Sequence, residues 1–177
     1  MDEAASMKRA EQQPTYAYKT VKTPVGQLKL VACDRGLAAI LWEHDDPKRV
    51  RLGPLAEDKS HLILLETERQ LNEYFAGKRK IFSLPLAPTG TEFQKEVWQA
   101  LSTIPFGETR SYADIARQIN QPKAVRAVGA ANGKNPLSIV APCHRVIGAN
   151  GKLTGFAGGL ETKAFLLKLE SGNGALL

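Results

Sequence analysis

Asn135-Pro136-Leu137-Ser138-Ile139-Val140-Ala141-Pro142-Cys143-His144-Arg145-Val146-Ile147-Gly148 is the stretch around which the rest of the chain is organised. The apolar run from Leu137 to Ala141 has the length of a short buried strand. Pro142, which has no N–H to give a ladder and fixes the backbone, ends that run just before a cysteine. Cys143, His144 and Arg145 follow without a gap. A thiol reacts as its thiolate, and a neighbouring imidazole and guanidinium both lower the cost of that charge. The plain alternative is a cysteine buried as a small hydrophobe beside two polar surface residues. Adjacent side chains on an extended strand point to opposite faces, so His144 needs a turn or a bridging water to act on Cys143.

Upstream the pattern is helical. Thr91-Glu92-Phe93-Gln94 has the form of a capping box, and Phe93, Val97, Leu101 and Ile104 mark one face of the helix it opens. Pro105-Phe106-Gly107 ends that helix. Ser111-Tyr112-Ala113-Asp114 is a second capping box, followed by Ile115, Ala116 and Ile119 at helical spacing. After the turn Asn120–Lys123, a helix over about Ala124–Asn132 is nearly smooth: Ala124, Ala127, Gly129, Ala130 and Ala131 are small, and Arg126 projects. Helix, short turn, helix, strand is the order of a winged helix-turn-helix. A smooth helix either approaches a groove wall closely or packs tightly against a neighbour. Between Arg110 and Lys152 seven bases, Lys134 among them, stand against one acid, Asp114. That excess suits a polyanionic partner or a solvated basic face.

Before the linker Ala87-Pro88-Thr89-Gly90 the character is different. Tyr16, Tyr18 and Thr20 alternate with Ala17, Lys19 and Val21, and Thr23–Gly26 turns into a second strand with Leu28, Leu30 and Ala32 on one face. Asp34-Arg35-Gly36 turns again into Leu37–Trp42. This meander needs a covering helix, which Ser60–Ala76 supplies with Leu64, Leu71 and Phe75 and a stop at Gly77. Glu43–Asp58 reads as loop, and Phe82, Leu84 and Leu86 as a short edge strand.

The chain has 177 residues, 43% hydrophobic and 24% charged, with a net charge of +6 and a pI of about 9.4. That length makes one large or two small domains. No apolar run approaches the ~20 residues of a membrane span. Met1–Pro14 has no hydrophobic core of a secretory signal and reads as a tail. Cys33 and Cys143 are therefore expected reduced, and the protein cytoplasmic. The expected fold class is α+β: an N-terminal antiparallel β-meander with a covering helix, then a mostly helical domain with a winged helix-turn-helix. The expected divisions are a disordered tail over 1–14, an N-terminal α/β domain over 15–88, a DNA-binding and active-site domain over 89–172, and a tail over 173–177.

Arg126-Ala127-Val128-Gly129-Ala130-Ala131-Asn132, Asn135-Pro136 and Pro142-Cys143-His144-Arg145-Val146-Ile147-Gly148 together closely resemble the O6-alkylguanine-DNA alkyltransferases, in their bacterial single-function form. The likeness runs from about Pro14 to Glu170. It implies a DNA repair protein that flips O6-alkylguanine, and also O4-alkylthymine, out of the duplex and moves the alkyl group irreversibly to Cys143 in a single turnover. Arg126 matches the finger that fills the vacated stack from the minor groove, and Tyr112 the tyrosine that crowds the target's 3′ phosphate. Ala127, Gly129, Ala130 and Lys134 complete the DNA-binding face. Glu170, His144 and a water would activate Cys143, and Asn135 matches a hinge asparagine. Pro142, Val146, Phe156, Ala157 and Gly158, with Tyr112, would line the base pocket.

Phe156 stands where the family often has Tyr, and Ala157 where some members have Ser, so base stacking is kept and those hydroxyl contacts are not. Some animal members hold a structural zinc with one ligand at the position of Cys33. Its companion here is Ala38, so no metal is expected, and no cofactor is needed because the DNA supplies the alkyl group. The partner is double-stranded DNA met by a monomer, with no membrane. The same Cys-His pair would also suit a hydrolase, and the helix-turn-helix a non-catalytic lesion sensor.

Overall fold

Tyr16–Thr23 (β1), Gly26–Cys33 (β2) and Gly36–Leu41 (β3) form the antiparallel meander that the alternating sequence predicts. The computed structural model describes residues 15–172, so the expected tails over 1–14 and 173–177 lie outside the described residues. β1 and β2 pair in unbroken register from Ala17↔Ala32 to Thr23↔Gly26. A shift between Val31 and Ala32 interrupts β2–β3. Gly36 admits no larger residue, since an added Cβ would stand 2.6 Å from the carbonyl oxygen of Pro85.

Two N-terminal segments differ from expectation. Within the expected loop 43–58, Leu55–Glu57 (β4) pairs parallel with β1, giving the sheet order β3-β2-β1-β4. Residues 82–86 form no strand. A single bridge, Leu37↔Leu86, is all they add to the sheet, flanked by Leu37 N–H donating to Pro85 O at 2.8 Å. Pro85 cannot extend the ladder, which limits the pairing to that point.

The covering helix is Leu62–Phe75 (α1), capped by His61, whose ring accepts the Ile63 N–H at 3.3 Å. Its Leu64, Leu71 and Tyr74 pack on Leu28, Leu30, Leu37 and Ile40 of the sheet. Each large aliphatic side chain buried there contributes about 1.5–3 kcal/mol. Gly77, at φ +76°, turns the chain away after α1.

Both capping boxes form as read. Thr91 and Gln94 open Glu92–Leu101 (α2), and Ser111 and Asp114 open Tyr112–Gln118 (α3). Arg110–Ser111 (β5) precedes α3, and Val125–Gly133 (α4) follows it after a short turn. Val97, Leu101, Ile115, Ala116, Val128 and Ala131 knit α2, α3 and α4 into a second core. Trp98 Nε1 fastens α2 to α4 by donating to Ala131 O at 2.8 Å.

The expected strand over 137–141 is absent. Leu137 makes one bridge to Ile40, after which the backbone turns, with Ile139 at φ +75° and Ala141 N–H donating to Leu137 O at 2.8 Å. Leu137, Ile139, Val140 and Ala141 are apolar because they fill the core beneath β3 and α1, and not because they are extended. A 3-10 turn, Cys143–Arg145, leads into Val146–Ile147 (β6), which pairs parallel with β5. Leu160–Glu170 (α5) closes the described chain. Leu166 is buried on α5, whereas its neighbour Phe165 is 41% exposed.

Candidate active site and nucleic-acid interface

The side chain of Asn135 shapes the approach to the cysteine. Its Nδ2 donates to Ala141 O at 2.8 Å and its Oδ1 accepts the Leu137 N–H at 3.0 Å, clamping both ends of the 137–141 turn. Pro142 then starts the 3-10 turn, with Arg145 N–H donating to Pro142 O at 2.9 Å. Successive residues of such a turn project about 120° apart, so Cys143 and His144 are not held on opposite faces as in a strand. Cys143 is 4% exposed and His144 is fully buried.

Behind that turn lies Glu170, buried at the end of α5. His144 Nε2 lies 2.7 Å from its Oε2, Arg145 donates to both carboxylate oxygens at 2.7 and 3.0 Å, and the Tyr74 hydroxyl reaches Oε2 at 2.5 Å. Arg145 also donates to Ile104 O at 2.6 Å. Its charge is therefore engaged by Glu170, and the help it was expected to give the thiol passes to other residues. Burial raises the Glu170 pKa, but the hydrogen bonds from His144 and Arg145 outweigh it and hold the carboxyl down at about 2. An ionised carboxylate only accepts, so the imidazole carries its proton on Nε2. Burial lowers the His144 pKa against the pull of Glu170, so the ring is neutral near pH 7. Its Nδ1, buried and without a hydrogen-bond partner among the described residues, is left as an acceptor.

The thiol of Cys143 is pushed up by burial and drawn back down by Asn135, Arg49 and Lys163. Lys163 went unread in the sequence. Fully buried on α5, it donates to Val146 O at 2.6 Å and Thr154 O at 3.4 Å. It shares a helix face with Leu166 and Glu170 at spacings of three and seven, the one sequence pattern that places it inside. Arg49 donates to Gly133 O at 3.2 Å and Asn135 O at 2.8 Å, joining the loop after β3 to the end of α4.

The glycine-rich segment 151–159 is pinned over this site from two sides. Phe156 meets the Trp42 ring edge-on at 5.4 Å, and Trp42 Nε1 donates to Ser138 Oγ at 3.1 Å. Gly158 lies so close to Trp42 that an added Cβ would stand 2.8 Å from the ring. On the other side the hydroxyls of Tyr112 and Thr154 are 2.5 Å apart. Val146 is buried, whereas Ala157 is exposed.

Tyr112 faces Gly129 across the helix pair: a Cβ built there would be 3.8 Å from its ring. On α4 the side chains of Val128 and Ala131 point inward, while Arg126, Ala127, Ala130 and, just beyond it, Lys134 are exposed. Its smooth face is therefore turned outward. Neither Arg126 nor Lys134 has an ion pair among the described residues. Cys33 is buried in the sheet beside Ala38, and no group of three or more His, Cys, Asp or Glu that could hold a metal occurs among the described residues. No helix there is long and apolar enough to cross a membrane.

Two family models match the chain: 6-O-methylguanine DNA methyltransferase, ribonuclease-like domain, over residues 16–88, and 6-O-methylguanine DNA methyltransferase, DNA binding domain, over residues 92–172. A methylated-DNA–protein-cysteine methyltransferase of Methanosarcina mazei is 51% identical over 156 residues, which are 88% of this chain and 98% of that one. The constitutive protein of that name in Bacillus subtilis is 52% identical over 155 residues, covering 86% and 94%. Among solved structures, Mycobacterium tuberculosis OGT in complex with DNA superposes with a TM-score of 0.82 at 44% identity, covering 89% of this chain and 94% of that one.

Proposed function

The chain belongs to the 6-O-methylguanine DNA methyltransferase family, and from that membership we propose Cys143 as the alkyl acceptor, His144 as its base and Glu170 as the group that orients the base. The protein repairs DNA by moving an alkyl group from the DNA to a cysteine of its own, a stoichiometric methyltransferase reaction. The observation that carries the residue assignment is the 2.7 Å contact between His144 Nε2, on the same 3-10 turn as Cys143, and the buried, ionised Glu170 at the end of α5.

The chemistry follows from those protonation states. Nδ1 of His144 receives the Cys143 proton, directly or through a water, and Glu170 stabilises the imidazolium. The thiolate attacks the alkyl carbon, an S–C bond forms, and the C–O6 bond breaks with its electron pair going to guanine. The proton gained by His144 balances the one guanine takes up from the solvent. A thioether has no easy hydrolytic exit, so the protein acts once. Lys163 and Asn135 favour the thiolate against the cost of burial.

Delivery of the base is assigned to the outward face of α4, with α3 and α4 as the helix-turn-helix and β5–β6 in the place of the wing. Arg126, Ala127, Gly129, Ala130 and Lys134 would enter the minor groove of double-stranded DNA, whose degenerate code suits a protein that must meet lesions in any sequence. Tyr112 would press on the target nucleotide, and Pro142, Val146, Phe156, Ala157 and Gly158 would receive the extruded guanine or O4-alkylthymine. The protein would act as a cytoplasmic monomer, with its two folding regions divided near 87–90.

The test is mass mapping of the Pro142–Arg145 peptide after mixing with DNA containing O6-methylguanine. One methyl group on Cys143 per repaired base is expected; no methyl on Cys143, or product beyond one equivalent of protein, refutes the assignment. Arg126→Ala should slow repair of duplex DNA much more than reaction with a free O6-alkylated guanine, and equal losses would remove Arg126 from its role.

A further inference from the structure

Three donors converge on a single oxygen of Glu170. Oε2 meets the Tyr74 hydroxyl at 2.5 Å, His144 Nε2 at 2.7 Å and Arg145 Nη2 at 3.0 Å, while among the described residues Oε1 accepts only Arg145 Nε at 2.7 Å. Tyr74 comes from α1, 96 residues before Glu170, and is fully buried. Phe75, Phe82 and Phe106 surround its ring at centroid distances of 5.2, 5.5 and 6.3 Å, so the hydroxyl cannot swing aside. Burial and the charge of Glu170 both push its ionisation far upward, so it keeps its proton and donates.

We infer that Tyr74 is a positioning residue for alkyl transfer, which by donating to the oxygen that His144 also uses holds that oxygen in line with Nε2 and limits the negative charge it offers the imidazole. The inference rests on the proposed Cys143–His144–Glu170 relay. Charge given to one hydrogen bond is not available to its neighbour, so removing the Tyr74 donor makes Oε2 a stronger acceptor for His144 and a better stabiliser of the imidazolium. The groups that face His144 are Glu170 and Lys163 on α5, Arg145 and Cys143 on its own turn, and Tyr74 behind Glu170 on α1. Arg145 and Lys163 oppose protonation of the ring and Glu170 favours it. Tyr74 thus tempers the carboxylate that draws a proton onto His144. This matters because a ring already protonated cannot take the proton of Cys143.

The experiment measures Cys143 alkylation by a free O6-alkylated guanine across pH, together with the NMR titration of His144, in wild type and Tyr74→Phe. The Phe variant keeps the ring and loses only the hydroxyl. Its acid limb and the His144 titration should both move up by about one pH unit, slowing transfer about tenfold on that limb. Site-specific 3-fluorotyrosine in place of Tyr74, a stronger donor, should move both downward, and it keeps the test open should Tyr74→Phe not fold. A residue that merely fills the core would leave both curves on those of wild type; that result overturns the inference while leaving the relay intact. Wild-type protein that gains no alkyl group on Cys143 would overturn the relay itself, and the inference with it.

Discussion

Glu170→Gln keeps the volume of the side chain and removes one charge from a site where three residues depend on it. Arg145, 6% exposed, would be left buried without an anion. The new amide also brings two N–H donors to a position already met by the donors of Tyr74, His144 and Arg145. Removing one partner of a buried ion pair costs about 3–5 kcal/mol. A second route gives a similar figure: lowering a carboxyl from its ordinary 4.5 to about 2 is worth about 3 kcal/mol of folding free energy. Because the folded pKa is depressed, that contribution is complete above pH 4.5 and is lost as the pH falls toward about 2. His144 acts in the same direction, since burial depresses its pKa and acid must drive a charge into the core. Urea unfolding at pH 7 and at steps down to pH 3 should show the variant less stable by about 3–5 kcal/mol at pH 7, roughly 6–20 °C in Tm. The gap should narrow on acidification. A variant within about 1 kcal/mol of wild type at pH 7, with the same acid dependence, would refute the view that Glu170 holds this site together.

Lys163→Met removes the buried cation beside the thiol, so Cys143 alkylation by free modified base should slow at least about tenfold. The melting temperature should hold or rise, because no carboxylate is left unpaired. Asn135→Ala breaks both clamps of the 137–141 turn and should cost about 2–5 kcal/mol in urea unfolding, with loss of transfer. Ile139 sits at φ +75°, where a β-branched residue is strained. Ile139→Gly should therefore be no less stable than Ile139→Ala, against the ordinary order, and a clear advantage for the alanine variant would argue against that backbone.

Local rules read the elements that are stabilised locally. The two capping boxes, the meander and the smooth helix all formed because their causes lie within a few residues. The 137–141 segment did not, since an apolar run without period specifies burial and leaves the backbone path open. The clamp that bends it is a side chain two residues upstream, and Asn135 was singled out by resemblance and not by any turn signal. At the site, Cys143, His144 and Glu170 were legible, the last only through the likeness, as a glutamate at a helix end is ordinarily exposed. Tyr74, Arg49 and Lys163 were not. A tyrosine on an amphipathic helix and an arginine in a charged loop carry no mark of the distant groups they meet. Lys163 defeated hydropathy outright, being a charged residue at 0% exposure.

The division near residue 88 marks a boundary between family models and not an energetic one. Leu137, Ile139, Ala141 and Leu166 belong to the same buried cluster as Leu28, Leu30, Leu64 and Leu71. Polar ties cross at the same place: Ile40 N–H donates to Pro136 O at 2.8 Å, Arg49 to Asn135 O at 2.8 Å, Trp42 to Ser138 at 3.1 Å and Tyr74 to Glu170 at 2.5 Å. Each of these four ties lands on the segment leading to Cys143 or on the carboxylate behind it, and a fifth, Arg49 to Gly133 O at 3.2 Å, reaches only the last residue of α4. The N-terminal half is thus the mould against which the Cys143–Arg145 turn is cast, and under the proposed function the helix pair is left to meet the DNA. Such an arrangement separates two demands that conflict. The proposed relay needs buried, fully hydrogen-bonded groups held in one geometry, whereas the proposed DNA-facing helix needs exposed cations and small side chains that contribute little to a core. By placing the first against a sheet and the second outside it, the fold would let the proposed DNA-binding surface stay poorly packed without loosening His144, the proposed base for Cys143.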